Sequence, residues 1–141
     1  MAEAARTFLS IDYGIRRIGL AKSDPSGIIA TALETLQVKS DDEAIGKLKR
    51  TISEIQPSAL VIGYPVNANG TMGEACRKVD AFVLRLEKIF AGPIHKVDEY
   101  GTSEEAADVV HAHGMKIGKK KARIDRLAAV IILRRFLDEQ Q

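Results

Sequence analysis

The sequence predicts a single α/β domain over residues 1–141, a mixed five-stranded sheet with helices on both faces. Three observations predict it. The chain opens with three apolar runs parted by turn residues, which read as strands joined by hairpin links. From residue 40 onward, helical and strand patterns alternate, the order that calls for parallel strands and crossover helices. Between them lies Ala59-Leu60-Val61-Ile62-Gly63, a short apolar run of the kind covered on both faces at the centre of a sheet.

The elements follow in order. Arg6 to Asp12 is the first strand, Gly14 to Arg17 a turn, and Ile18 to Ser23 the second strand. Asp24-Pro25-Ser26-Gly27 is strong turn chemistry, and Ile28 to Val38 is the expected third strand. Ser40 and Asp41 can cap a helix over 42–55, in which Ala44, Ile45, Leu48, Ile52 and Ile55 fall at helical spacing before Pro57 stops it. After the apolar strand and a loop from Tyr64 to Gly73, a helix over 74–90 carries the stripe Ala75, Val79, Phe82, Val83, Leu86 and Ile89. Gly92-Pro93 ends it. A strand from Ile94 to Glu99, a helix over 103–113, a basic loop and a helix over 121–138 complete the chain. The first, fourth and fifth strands are expected to be parallel neighbours. Sites in such sheets lie outside the carboxyl ends of the strands, where Asp12 and Glu99 fall.

Composition narrows the function classes. Hydrophobic content of 45% and charged content of 28% are ordinary for a globular domain. Cys76 is the only cysteine, which excludes an intramolecular disulfide and a cysteine-ligated metal. No apolar run approaches the length of a membrane span, so the expected setting is cytoplasmic and soluble, with no membrane partner. The net charge is only +2, but it is unevenly spread. Lys116, Lys119, Lys120, Lys121, Arg123, Arg126, Arg134 and Arg135 surround one acid, Asp125. That is either a solvated helix flank or the positive footprint of a phosphate-binding surface.

The acids carry the chemistry. Asp12 ends the run Phe8-Leu9-Ser10-Ile11, Glu99 ends Ile94-His95-Lys96-Val97-Asp98, and Asp125 stands at helical spacing from Ala128, Ala129 and Ile132. Carboxylates converging from two strand ends and a helix would cage Mg²⁺ or Mn²⁺, and without metal their crowding would raise at least one pKa. Each acid also has a plainer reading. Asp12 can cap a turn, Asp125 can pair with Arg123 or Arg126, and of the neighbours Asp98 and Glu99 only one can face a given side of the sheet. The acid-then-glycine hairpin also suits the phosphate loop of actin-like and sugar-kinase ATPases, but those need two such domains. The loop after the central strand, which holds Asn67, precedes a helix N-terminus whose backbone N–H groups could meet a phosphate.

Taken together, the segments Ile11-Asp12-Tyr13-Gly14, Arg17-Ile18-Gly19-Leu20-Ala21, Val61-Ile62-Gly63-Tyr64-Pro65 with Asn67, Gly70-Thr71, Asp98-Glu99 and Ile124-Asp125-Arg126-Leu127-Ala128-Ala129 give a specific match. The chain resembles the ribonuclease H-like superfamily and, within it, the YqgF-type pre-16S rRNA nuclease family, once called Holliday-junction resolvase homologues. The resemblance implies a ribonuclease H-like three-layer fold. It implies a metal-dependent nuclease in which Asp12, Glu99 and Asp125 hold Mg²⁺ or Mn²⁺, with Glu99 chosen over Asp98. The products would be a 5′-phosphate and a 3′-hydroxyl, and the task 5′-end maturation of pre-16S rRNA. Arg17, Asn67, Lys119, Lys120, Lys121, Arg123 and Arg126 are the candidate nucleic-acid contacts, and the chain is expected to be a monomer or weak homodimer. One departure stands out: the family's arginine after Asp-Glu is here Tyr100. Two other readings remain open, a dimeric resolvase of branched DNA and a nucleic-acid-binding protein with weak catalysis.

Overall fold

The computed structural model describes residues 6–66, 72–100 and 117–140, with the side chains of 117–125 outside that description. The described elements are β1 (Phe8–Asp12), β2 (Arg17–Ser23), β3 (Ala30–Ala32), β4 (Leu36–Gln37), α1 (Asp41–Ile55), β5 (Ala59–Tyr64), α2 (Glu74–Leu86), β6 (Ile94–Asp98) and α3 (Ile117–Glu139). The helix expected over 103–113 lies outside the described residues. The sheet runs β3-β2-β1-β5-β6, and β4 also pairs with β2. β1 pairs antiparallel with β2 and parallel with β5, which pairs parallel with β6. The parallel trio is therefore the one expected, and its carboxyl ends lie side by side.

Alternation along the strands divides the core in two. Leu9, Ile11, Ile18, Leu20, Leu60 and Ile62 pack with α1 and α2 residues such as Leu48, Phe82 and Leu86. Ala21, Val61 and Val97 face the other way and are covered by Ala129, Ile132, Leu133 and Phe136 of α3. Because side chains alternate with period two, Asp12, Gly63 and Glu99 share the α3 side with Phe8, Ser10, Val61 and Val97.

The third strand is not one run. The Asp24 carboxylate accepts hydrogen bonds from the backbone N–H groups of Ile28 and Ile29, both 2.8 Å, and holds them in the turn with their side chains exposed. The same carboxylate accepts from the Ser26 hydroxyl, and these bonds hold its pKa at about 2. Beyond Ala32 the register slips. Ile18 faces Leu36 and Ala21 faces Ala32, so three steps along β2 match four along its partner. That extra residue is a β-bulge, and it splits the edge into β3 and β4.

Ser40 caps α1, its hydroxyl accepting from the Glu43 N–H at 3.2 Å, and Gln56 ends the helix at φ 51° just before Pro57. α2 stops at Leu86, short of the expected Phe90, because Lys88 and Ile89 bond three residues back, to Arg85 and Leu86. This tightened turn stands where the α-helical ladder was expected. α3 starts at Ile117, four residues before the expected Lys121, so the lysines at 119 and 120 belong to the helix and not to a loop. Lysine and alanine at 119–122 are good helix formers, which favours the earlier start. Among the described residues no helix is long and apolar enough to cross a membrane.

Candidate active site

Asp12 ends β1, and Glu99 follows the last residue of β6. β5 lies between these strands, so the two acids start about 10 Å apart across the sheet, twice the interstrand spacing. Their carboxyl groups nevertheless share a hydrogen bond. Gly63 makes the closure possible. A Cβ built there would lie 2.9 Å from Glu99 Oε2 and 2.6 Å from Ile132 Cδ1. The missing side chain is thus the space in which the two acids meet beneath α3. A glycine inside a strand marks such close approaches, and that is the signal by which the sequence could have shown it.

Two carboxyl groups can share a hydrogen bond only while one keeps a proton. Glu99 has its pKa pushed up, first by burial and then by the charge of Asp98; the hydrogen bond with Asp12 and the positive charge of Arg135 pull the other way. The upward direction is the one expected of crowded acids. Its cause differs, because desolvation leads and the contact with Asp12 acts in the opposite sense. Asp98 is exposed and accepts from the Tyr100 N–H at 2.8 Å, so it shapes the turn and not the site.

The backbone of α3 bears on the third acid. The Phe136 ring packs edge-on against Phe8 at 5.0 Å, and the buried Ser10 hydroxyl donates to the Ala129 carbonyl at 2.7 Å. Going up β1 from Phe8 to Ser10 thus means going down α3 from 136 to 129. One more helical turn, about 6 Å, reaches position 125, and two more strand residues, about 7 Å, reach Asp12. The Asp125 side chain itself lies outside the described residues. Within them, no group of three metal-ligating side chains assembles.

Two clefts flank the acid pair. One of about 220 Å³ is lined by Asp12, Gly14, Arg16 and Arg17 on the β1–β2 hairpin. The other, about 340 Å³, is lined by Tyr13, Ile15, Pro65, Glu74, Lys78 and Glu99. Arg17 is therefore at the site, on β2 opposite Gln37. Arg126 is exposed on α3. Asn67 and the side chains of Lys119, Lys120, Lys121 and Arg123 lie outside the described residues. At the end of β5, the Tyr64 hydroxyl donates to Asp80 at 2.9 Å, and Lys96 meets the same carboxylate at 2.6 Å. The bond to Asp80 pushes the Tyr64 phenol up to about 12, so it stays a donor and steadies the start of the loop.

In the sequence, Arg135 is only one member of the basic stretch. In the fold its Nη1 donates to the carbonyls of Asp98 and Tyr100, both at 2.9 Å, on either side of Glu99. No sequence spacing announces this, since it depends on where α3 crosses the end of β6.

A family model, RuvX, described as Holliday junction resolvase, matches residues 6–139. A relative from Koribacter versatilis named "Putative pre-16S rRNA nuclease" is 40% identical over 132 residues, covering 94% of this chain and 86% of its own. One of the same name from Dictyoglomus thermophilum is 36% identical over 130 residues, covering 92% and 94%. Among solved structures, T. thermophilus RuvC in complex with a Holliday junction substrate has a TM-score of 0.55 at 16% identity, covering 96% of each chain. The Fowlpox virus resolvase in complex with Holliday junction DNA has 0.58 at 10%, covering 95% of this chain and 98% of its own. These structural likenesses establish the expected ribonuclease H-like architecture.

Proposed function

The chain belongs to the RuvX family and is a hydrolytic nuclease; from that premise we propose that it matures the 5′ end of pre-16S rRNA, using Mg²⁺ or Mn²⁺ held by Asp12, Glu99 and Asp125. The observation that carries this reading is the carboxyl pair closed over Gly63 at the carboxyl ends of the parallel strands. The fit of a metal follows from the donor set. A pair that must keep a proton to sit together can exchange it for a dication, and oxygen-only donors suit Mg²⁺ or Mn²⁺. The antiparallel course of β1 and α3 supports Asp125 as the third donor.

When bound, such a metal polarises the phosphate, lowers the pKa of a water and steadies the leaving oxygen. The protein's share is to hold the carboxyl groups in place at the strand ends, and to guide the strand past them. Arg16 and Arg17 on one side and Lys78 on the other give the clefts a cationic rim for backbone phosphates. Lys119, Lys120, Lys121, Arg123 and Arg126 extend it along α3, and Asn67 adds a polar contact from the loop after β5. Water adds to phosphorus and the 3′ oxygen leaves, giving a 5′-phosphate and a 3′-hydroxyl. The chain would act in the cytoplasm as a monomer or weak homodimer.

The test is cleavage of a precursor RNA spanning the mature 5′ end, beside single-stranded DNA and a four-way junction, in Mg²⁺, Mn²⁺ or EDTA. Metal-dependent cutting of the RNA is expected. Paired, symmetric cuts in the junction with the RNA intact would establish the resolvase instead. Binding without turnover in either metal would mark a nucleic-acid-binding protein disabled by Tyr100.

A further inference from the structure

Residues 98–100 leave the sheet as a short turn, and Glu99 is its middle residue. Within the turn, the Tyr100 N–H donates to Asp98 Oδ1 at 2.8 Å. Toward the sheet, the Glu99 N–H donates to the Tyr64 carbonyl at 3.1 Å. Neither bond fixes how far the turn stands from α3. That distance is set by Arg135, whose Nη1 donates at 2.9 Å to each of the Asp98 and Tyr100 carbonyls. One guanidinium nitrogen carries two protons in a plane, so it can serve both acceptors at once. Three residues earlier, on the same side of α3, Ile132 fills the space beside Gly63 against which the Glu99 carboxyl rests. One helix thus fixes the backbone on either side of Glu99 and closes the space around its carboxyl.

We propose that Arg135 is a positioning residue of the nuclease: it braces the turn so that the Glu99 carboxyl stays against Asp12. The proposal rests on the reading of Glu99 as an active-site carboxylate. It also gives the turn after β6 a rigid anchor in a chain where Tyr100 replaces the family's arginine. Arg135 touches neither substrate nor metal in this role, so its removal acts on kcat and on carboxylate geometry, leaving the grip on RNA unchanged.

The experiment compares Arg135→Ala, Arg135→Lys and Glu99→Gln with the parent. It measures kcat and KM on the precursor RNA with Mn²⁺, Mn²⁺ affinity, and amide exchange at Val97, Glu99 and Tyr100 in metal-free protein. Arg135→Ala is expected to lose about 10- to 100-fold in kcat, the scale of an ångström of misplacement, with KM unchanged. It should weaken Mn²⁺ binding and speed exchange at Glu99 and Tyr100 while Val97 keeps its protection. Arg135→Lys, whose single ammonium lacks the planar fork, should recover part of the loss. Parental kcat and parental exchange in Arg135→Ala, with Glu99→Gln inactive, would overturn the bracing role alone. A raised KM with parental kcat and a shallower salt dependence would make Arg135 a phosphate contact instead. Full activity in Glu99→Gln would remove the premise, and the exchange rates would still show whether the turn is braced.

Discussion

A carboxyl group that is half-buried beside a second carboxyl gains nothing for the fold by ionising. Glu99 is in that position, with its pKa raised chiefly by burial. Below the ordinary glutamate value of about 4.3 it is protonated in both folded and unfolded chains and affects stability little. As pH rises through the window between that value and the raised one, the unfolded chain ionises first, and metal-free stability falls. Glu99→Gln cannot ionise, so its metal-free melting temperature should exceed the parent's at neutral pH, and the gap should close below about pH 4. Metal binding has the opposite slope, because the ligand must lose its proton: Mn²⁺ affinity should drop as pH falls through the raised value, earlier than for an ordinary glutamate. Calorimetric melts and Mn²⁺ titrations across pH check both, and a melting gap that is unchanged with pH would refute the burial argument. Gly63→Ala tests the space between the acids. The atoms a Cβ would meet are the far ends of Ile132 and Glu99, which can swing aside. The expected outcome is a folded protein about 1–3 kcal/mol less stable, with kcat down about 100-fold. That Asp12 and Glu99 fall together at one end of the sheet was legible in the sequence, because each stands at the end of a predicted strand. The work of Gly63 was signalled only by a glycine inside an apolar strand, and that of Arg135 not at all, because it arises where chain-distant elements meet.

At the scale of elements, local signals were legible where they acted alone. Ser40 caps its helix, Pro57 follows its end, and the apolar run at 59–63 is an interior strand, β5, buried on both faces, although β1 takes the centre of the sheet. They misled where a side chain competes with the sheet. Asp24 takes up the N–H groups of Ile28 and Ile29, which a stretch rich in Ile, Thr and Leu assigns to a strand. The basic stretch shows the same limit from the other side, since lysines that read as loop stand in α3 from Ile117. This changes what they can do. Successive helical positions turn by about 100°, so backbone positions 119, 120 and 121 are spread through about 200° of the helix circumference, and one strand of RNA need not meet all three equally. Replacing all three by alanine should weaken RNA binding uniformly across sequences. The log–log salt dependence should flatten by about 0.7 for each phosphate no longer neutralised, and by less in total than three such phosphates would give. A salt titration on single-stranded RNA checks it, and parental affinity with parental slope would show that the strand runs elsewhere.

For the whole molecule, the two cores differ in what covers them. One face of the sheet is packed by α1 and α2, whereas among the described residues the other is packed by α3. The tie between Ser10 and Ala129 joins residues 119 apart in the chain. Such distant contacts form late, because a long loop must close before they return anything. α3 carries position 125, Ile132 and Arg135, and it is the last described element to leave a ribosome. Among the described residues, a nascent chain without α3 would therefore leave Ala21, Val61 and Val97 uncovered and Asp12 and Glu99 without the helix that closes over them. If Asp12, Glu99 and position 125 form the cutting site as proposed, a chain still lacking α3 would be harmless to the RNA of the machine that is making it.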